Sequence, residues 1–172
     1  MSKPKVTSVV VAGLGGQGVL KASDIIAGAA FLAGFDVKKS EIHGMSQRGG
    51  SVTSDVRFGE EVFSPMAPPG EADFLVLLDS GQLDANSGLL RPQGILIHPG
   101  MIEKVRLASR RNLNVALVGA LSAWLEISEA HWLEAVRASL SERLQAANLD
   151  AFQAGRAAAR ALLSGAGPDK HD

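Results

Sequence analysis

The chain contains no cysteine. That excludes disulfides, thiolate-held zinc, a thiol nucleophile and any iron–sulfur cluster bound by this chain alone. Its histidines, His43, His98, His131 and His171, are scattered, with no HExxH and no i,i+4 pair, so no metal site is expected. Long apolar runs are missing too. The amino-terminal MSKPKVTS leads into a short strand-like segment, not the apolar region of a signal peptide, and no membrane span is visible. Charge of one sign is also lacking: Lys+Arg 17 against Asp+Glu 18 gives a net charge of -1, with no general pull toward nucleic acid or membranes. These absences lead to the expectation of a soluble cytoplasmic protein without a nucleic-acid partner.

What is present suits one globular domain. The 172 residues are 46% hydrophobic, enough for one proper core and too few for two. Val6 to Ala12 reads as a buried strand, and Gln17 to Leu32 carries apolar residues at helical spacing before Gly34. Phe35 to Ile42 is a second strand. Strand–helix–strand in this space is a βαβ unit, which favours a parallel, doubly wound sheet.

Residues 43–50 (HGMSQRGG) fit neither period and read as a loop. Ser51 to Phe58 alternates, and Gly59-Glu60-Glu61 looks like a hairpin turn into Val62-Phe63. Residues 64–70 form a proline-stiffened connector. Phe74 to Leu78 has the unbroken apolar character of a central parallel strand, and Ile95 to Ile97 is another. Helices are then expected over Val115–Leu125, from the N-cap Ser128 to about Leu144, and over Ala151–Leu163 with Asn148 or Asp150 as cap. The expected fold is α/β: a Rossmann-like doubly wound, mostly parallel sheet with an added hairpin and C-terminal helices. One domain spans 1–165, and 166–172 forms a frayed tail.

The chemistry concentrates in the loops. Gly13-Leu14-Gly15-Gly16-Gln17-Gly18 is G-x-G-x-x-G between a strand and a helix. Such glycines permit close backbone approach, and the helix N-terminus presents free N–H groups to an anion. A dinucleotide site also needs an acidic residue at the end of the second strand for a ribose diol. Here Asp36 comes too early and Lys38-Lys39 sit near that place, with Glu41 not far off. Two lysines suit a phosphate better than a diol, which weakens an NAD assignment. The glycines could equally do no more than make a tight turn.

The loop His43-Gly44-Met45-Ser46-Gln47-Arg48-Gly49-Gly50 would project near the carboxyl edge of a parallel sheet. Arg48 is suited to a carboxylate or phosphate. His43 is the histidine best placed for proton transfer, but no nucleophile–base pair or paired carboxylates accompany it. Asp79-Ser80 follows the central strand, most simply as an N-cap. Trp124 and Trp132 read as core or subunit interface.

Taken together, these loops resemble a known family. The strand followed by GLGGQGV, then SEIHGMSQRGGSV, then FLVLLD, are similar to the gamma-type domain of 2-oxoacid:ferredoxin oxidoreductases. The HGMSQRGGSV form most resembles the beta (small) subunit of indolepyruvate ferredoxin oxidoreductases. Asn114 and Gly119 in NVALVGAL, then Asn148, Ala151, Phe152 and Gly155 in NLDAFQAG, look like that family's closing helices.

The resemblance implies a division of labour. Thiamine diphosphate and iron–sulfur clusters sit in a large catalytic partner subunit, where a 2-oxoacid, here indolepyruvate or another arylpyruvate, is oxidatively decarboxylated. Acyl-CoA forms, and electrons pass to ferredoxin. This chain is then a non-catalytic subunit that holds no cofactor alone and contacts CoA. Its site residues would be Gly13, Gly15, Gly16, Gln17 and Gly18, forming a backbone-lined pocket, and Ser46, Gln47, Arg48, Gly49 and Gly50, meeting the partner or the CoA phosphates. No catalytic residue is assigned. A free-standing NAD(P)-binding oxidoreductase and a pure assembly scaffold remain as other readings.

Overall fold

Alternation of buried and exposed residues explains why the strands form a two-sided sheet with unequal cover. A computed structural model describes residues 5–44 and 49–165. The tail expected over 166–172, and Ser46, Gln47 and Arg48, lie outside the described residues. Five strands, β1 (Val6–Leu14), β2 (Asp36–His43), β3 (Ser51–Gly59), β4 (Ala72–Leu77) and β5 (Leu90–Ile97), form one sheet in the order β2-β3-β1-β4-β5. Helices α1 (Val19–Leu32), α2 (Leu83–Asn86), α3 (Leu113–Ser122), α4 (Glu129–Ser139) and α5 (Glu142–Leu163) complete the fold.

The α/β doubly wound expectation holds, with a twist in the strand order. β1 pairs in parallel with β4, and β4 with β5. β3 runs antiparallel to both β1 and β2. β2 therefore points the same way as β1, as the βαβ pattern requires, but β3 lies between them. The hairpin is also elsewhere than expected. It is formed by β2 and β3 around residues 44–50, whereas Val62 and Phe63 belong to no strand. The β3 ladder ends at Gly59, where an added Cβ would meet Lys5 O.

One face carries the main core. Val9 and Val11 of β1, Val56 of β3 and Val76 of β4 pack with Ile25 and Ile26 of α1, Leu117 and Leu121 of α3, Trp132 of α4 and Phe152 of α5. Trp132 is fully buried and Trp124 is partly buried against this core. The other face has a small cluster of Val10, Ala12, Leu75 and Leu77. Part of it is strapped by the proline connector. Asp36 Oδ2 accepts from Val62 N–H at 2.8 Å, Asp55 Oδ2 accepts from Ala67 N–H at 3.1 Å, and Arg57 Nη1 donates to Ser64 O at 2.8 Å. The Val62 N–H holds the Asp36 carboxyl below its ordinary value, whereas burial pushes that of Asp55 up.

The helical half differs from the sequence pattern in where it breaks. α4 stops at Ser139, Leu140 is extended, and α5 begins at Glu142 after Ser141. Asn148 and Asp150 lie inside α5 and cap nothing. Asn148 escapes the usual penalty of a mid-helix asparagine because Nδ2 donates to Leu144 O at 2.8 Å and Oδ1 accepts from Asn112 at 3.1 Å. Ser128 does cap α4, accepting from His131 N–H at 3.4 Å.

α3 and α5 cross in backbone contact. A Cβ at Gly119 would fall on the Phe152 backbone, and one at Gly155 on that of Ala116. Beside the crossing, buried Arg156 donates to Ser122 Oγ at 2.9 Å, and that hydroxyl donates to Gly119 O at 2.5 Å.

Two stability outcomes follow. Gly155→Ala forces rigid backbones apart and should lower unfolding free energy by about 1–3 kcal/mol, read as a lower urea midpoint; an unchanged midpoint would contradict the crossing. For Asp55, a folded pKa above the unfolded 3.8 means the folded state binds the proton more tightly. Stability should therefore fall as pH rises through the range just above 3.8. Asp55→Asn should flatten that slope and raise the neutral-pH midpoint, as urea titrations between pH 3.5 and 7 would show.

Candidate functional site

The switch in strand order places a crevice where β1 and β4 end side by side. From β1 the chain crosses through α1 toward the β2 edge, whereas β4 and β5 build outward on the other side. In open α/β sheets, ligands bind at such a point, outside the carboxyl ends of the strands. Here a crevice of about 790 Å³ is lined by Gly16, Gln17 and Gly18 after β1, by Leu78 to Gly81 after β4, and by Arg110, Arg111, Leu113 and Asn114 at the start of α3.

Local chemistry makes the glycine loop. Gln17 N–H donates to Leu14 O at 3.1 Å, closing a turn in which Gly16 has φ 87°. A positive φ at that place suits a type II turn and favours glycine. Gly18 takes φ 83° at the N-cap of α1, and a Cβ there would strike the Asn114 amide. That amide donates to Gly18 O at 3.1 Å, tying α3 to the loop. Asn114 Oδ1 is buried and has no hydrogen-bond partner among the described residues. Gly13 lines no part of the crevice. It is buried, and an added Cβ would meet Gln17 Oε1, Val19 and Leu78 at about 3 Å. Its role is close packing of strand against helix.

Gln17 contributes its side chain as well as its backbone. Oε1 accepts from Leu14 N–H at 2.7 Å, and Nε2 donates to Asp79 Oδ2 at 2.8 Å. The other Asp79 oxygen accepts from Gly81 N–H at 2.9 Å, capping the turn at Ser80–Gln82. The N-cap reading of Asp79 is thus met, and both carboxylate oxygens are engaged within the chain. The third loop joins by two bonds: Gly15 N–H donates to Gly50 O at 2.8 Å, and Ser51 Oγ donates to Gln82 Oε1 at 2.6 Å. Glycine loop, hairpin base and β4 turn are therefore cross-linked into one rim.

Of the sequence-predicted residues, Gly16, Gln17 and Gly18 meet at the crevice. Gly15, Gly49 and Gly50 meet one another beside it, a Cβ at Gly15 lying 3.4 Å from Gly49 N. A smaller cavity of about 370 Å³ lies across the glycine loop, lined by Gly15, Gly16, Val19, Lys21, His43 and Val52. His43 is exposed there, with Glu41 at 3.8 Å. Lys38 and Lys39 are not at the crevice. They sit on β2 at the sheet edge, where Lys39 pairs with Asp24 and Glu41 and Lys38 with Asp36.

Sequence reading missed Arg110 and Arg111. They stand in a short turn with a capping box: Ser109 Oγ accepts from Arg111 N–H at 3.2 Å, and Asn112 Oδ1 from Ser109 N–H at 3.0 Å. The buried Asn112–Asn148 bond fastens this turn to α5. The available signal was Ser109-x-x-Asn112 directly before the apolar run of α3. The combined site offers α1 N–H groups and two guanidinium groups, a setting for an anionic ligand. Among the described residues, no group of three His, Cys, Asp or Glu side chains could hold a metal ion.

Comparison with known proteins agrees with this architecture. The family model described as pyruvate ferredoxin/flavodoxin oxidoreductase matches residues 8–100. The indolepyruvate oxidoreductase subunit IorB of Pyrococcus horikoshii is 30% identical across 91% of this chain and 98% of its own length. The keto/oxoacid ferredoxin oxidoreductase gamma subunit from Geobacter sulfurreducens superposes with TM-score 0.77 at 24% identity, covering 91% of this chain and 98% of that one. A 2-oxoglutarate:ferredoxin oxidoreductase from Magnetococcus marinus, solved with 2-oxoglutarate, coenzyme A and succinyl-CoA bound, gives TM-score 0.78 at 23% identity, covering 92% of this chain and 32% of that one. With a family model across more than half its residues and a relative matched along nearly its whole length, the chain belongs to the pyruvate ferredoxin/flavodoxin oxidoreductase family.

Proposed function

We propose that this chain is the small, non-catalytic subunit of a 2-oxoacid ferredoxin oxidoreductase acting on indolepyruvate or another arylpyruvate. In this reading it presents its switch-point crevice to the phosphates of coenzyme A. The observation that carries the CoA part is the convergence of Arg110, Arg111 and the α1 N-terminus on one crevice. The match to an indolepyruvate oxidoreductase subunit, over 91% of this chain and 98% of that one, supports the substrate class. The Magnetococcus enzyme, whose chain includes a domain of this fold, was solved with coenzyme A.

The chain's own chemistry supports the division of labour. It has no thiolate to hold a cluster. Thiamine diphosphate, which supplies carbanion stabilisation in 2-oxoacid decarboxylation, and the iron–sulfur clusters are assigned to a large partner subunit that passes electrons to ferredoxin. This chain's part is to bind and orient. The α1 N-terminus at Gly18 and the two guanidinium groups fix phosphate oxygens, while Gln17 and Asp79 keep the rim in shape. The chain acts as one domain over 1–165. No helix among the described residues is long and apolar enough to cross a membrane, which suits the cytoplasmic setting proposed here.

The NAD(P) reading has less support. A diol needs a free carboxylate beside the glycine loop, and both oxygens of Asp79 are already bonded.

Two outcomes test the proposal. A tagged chain expressed in its native cells should co-purify a large subunit bearing thiamine diphosphate and clusters; recovery without one, together with micromolar NAD(P) affinity, would overturn it. In the assembled enzyme, Arg110→Ala and Arg111→Ala should each raise the CoA KM roughly 10- to 100-fold, since each charge-assisted contact is worth about 1.5–3 kcal/mol. The KM for the 2-oxoacid should stay within about twofold. Equal loss for both substrates would point to a scaffold.

A further inference from the structure

The β2 edge of the sheet carries chemistry that the crevice does not use. Among the described residues, β2 is outermost and pairs only with β3. The opposite edge, β5, contains Pro92 and Gly94 and has a register shift against β4, features that discourage further pairing. β2 has no proline, no glycine and no register shift from Asp36 to His43.

The direction of its free backbone groups is fixed by the ladder. Gly44 N–H donates to Ser51 O at 2.7 Å in continuation of the β2–β3 register. Hydrogen-bonded positions alternate along an antiparallel pair, so Asp36, Lys38, Ser40 and Ile42 turn their backbone groups toward β3. Val37, Lys39, Glu41 and His43 turn theirs outward. A second antiparallel strand must match these outward positions with its own.

For two identical strands, that parity leaves few registers. Centred on Lys38, Lys39 or Glu41, the pairing sets a residue against its own copy with like charge, which is destabilising. Centred on Ser40, Lys39 of each copy meets Glu41 of the other, and Val37 meets His43. The Lys39 and Glu41 side chains, which pair with each other and, for Lys39, with Asp24 within the chain, are 25% and 37% exposed on this edge. Centred on Val37 or Ile42, only three residues of each β2 overlap, so overlap length together with charge complementarity selects the Ser40-centred arrangement.

We propose that β2 pairs antiparallel with β2 of a second copy of this chain, centred on Ser40, and joins the two five-stranded sheets into one. The interface is isologous, as expected for a two-fold dimer. This inference stands apart from the assignment of the crevice.

The chain's lack of cysteine provides the test. Ser40 faces itself across the two-fold as a non-hydrogen-bonded pair, with Cα atoms about 4.5 Å apart, within disulfide reach. Under mild oxidation Ser40→Cys should give a covalent dimer. Ile42→Cys, whose two copies would lie about four residues apart along the strands, or roughly 13 Å, should not. In light scattering, Lys39→Glu and Glu41→Lys should each raise the dimer dissociation constant about tenfold or more. Mixing these two variants should restore dimers, because the mixed pair again opposes unlike charges. A wild-type chain that stays monomeric at about 100 μM would overturn the proposal, as would equal cross-linking at both positions or no recovery on mixing. Cross-linking of Ser40→Cys to a large subunit, with no homodimer, would assign the edge to that chain and also overturn it.

Discussion

Where β1 and β4 run side by side, the loops that leave their carboxyl ends diverge, and the crevice between them exists because of that pairing. Parallel register sets Ala12 against Leu77, and Leu78 N–H continues the ladder to Ala12 O at 2.8 Å. Gly13 to Gly18 and Asp79 to Gln82 must then emerge at the same level. The Gln17 side chain turns this proximity into a fixed geometry by bridging Leu14 N–H and the Asp79 carboxylate. A bond to an ionised acceptor contributes about 1.5–3 kcal/mol, so the bridge is among the stronger ties in the rim. Gly13 permits it, since a Cβ would press on Gln17 Oε1 at 2.9 Å.

The arginine turn reaches the same crevice from the other half of the chain. α3 is hydrophobic nearly all round because it is enclosed by the sheet, α1 and α5. Its N-terminus is anchored at two points, by Asn114 on Gly18 O and by Asn112 on Asn148. The backbone contacts of Gly119 and Gly155 fix how α5 lies against α3. Position thus passes from the α3–α5 crossing through Asn148 and Asn112 to Arg110 and Arg111. The guanidinium groups themselves stay exposed, as suits groups that meet a ligand from solvent.

What could be read from sequence was what depends on local chemistry. The glycine turn, the apolar β4 and the capping role of Asp79 each follow from a few adjacent residues. β3 was legible as a strand but not as an antiparallel insertion, because alternation of Val52, Ser54, Val56 and Phe58 shows a buried face and carries no direction. Apolar spacing through Leu140 and Leu144 hid the break between α4 and α5, and Asn148 looked like a cap because its partner, Asn112, lies 36 positions away. Arg110 and Arg111 gave no periodic signal. Their significance comes from the crevice, which long-range packing assembles.

The inserted β3 also explains why a loop of dinucleotide-binding form need not serve a dinucleotide. In the usual arrangement the second strand lies beside the first, and its terminal carboxylate faces the ribose. Here β3 occupies that place and carries β2 one strand further out. Asp36 turns to the connector, holding Val62 N–H, and the lysines of β2 pair locally with Asp36, Asp24 and Glu41. The helix N-terminus after a glycine turn is kept at α1, because that arrangement needs no neighbour strand. The diol-binding half does not survive, because it needs one. With the acidic position gone and two arginines added from the turn before α3, the crevice suits the phosphate ligand proposed for it better than one recognised through a free ribose diol.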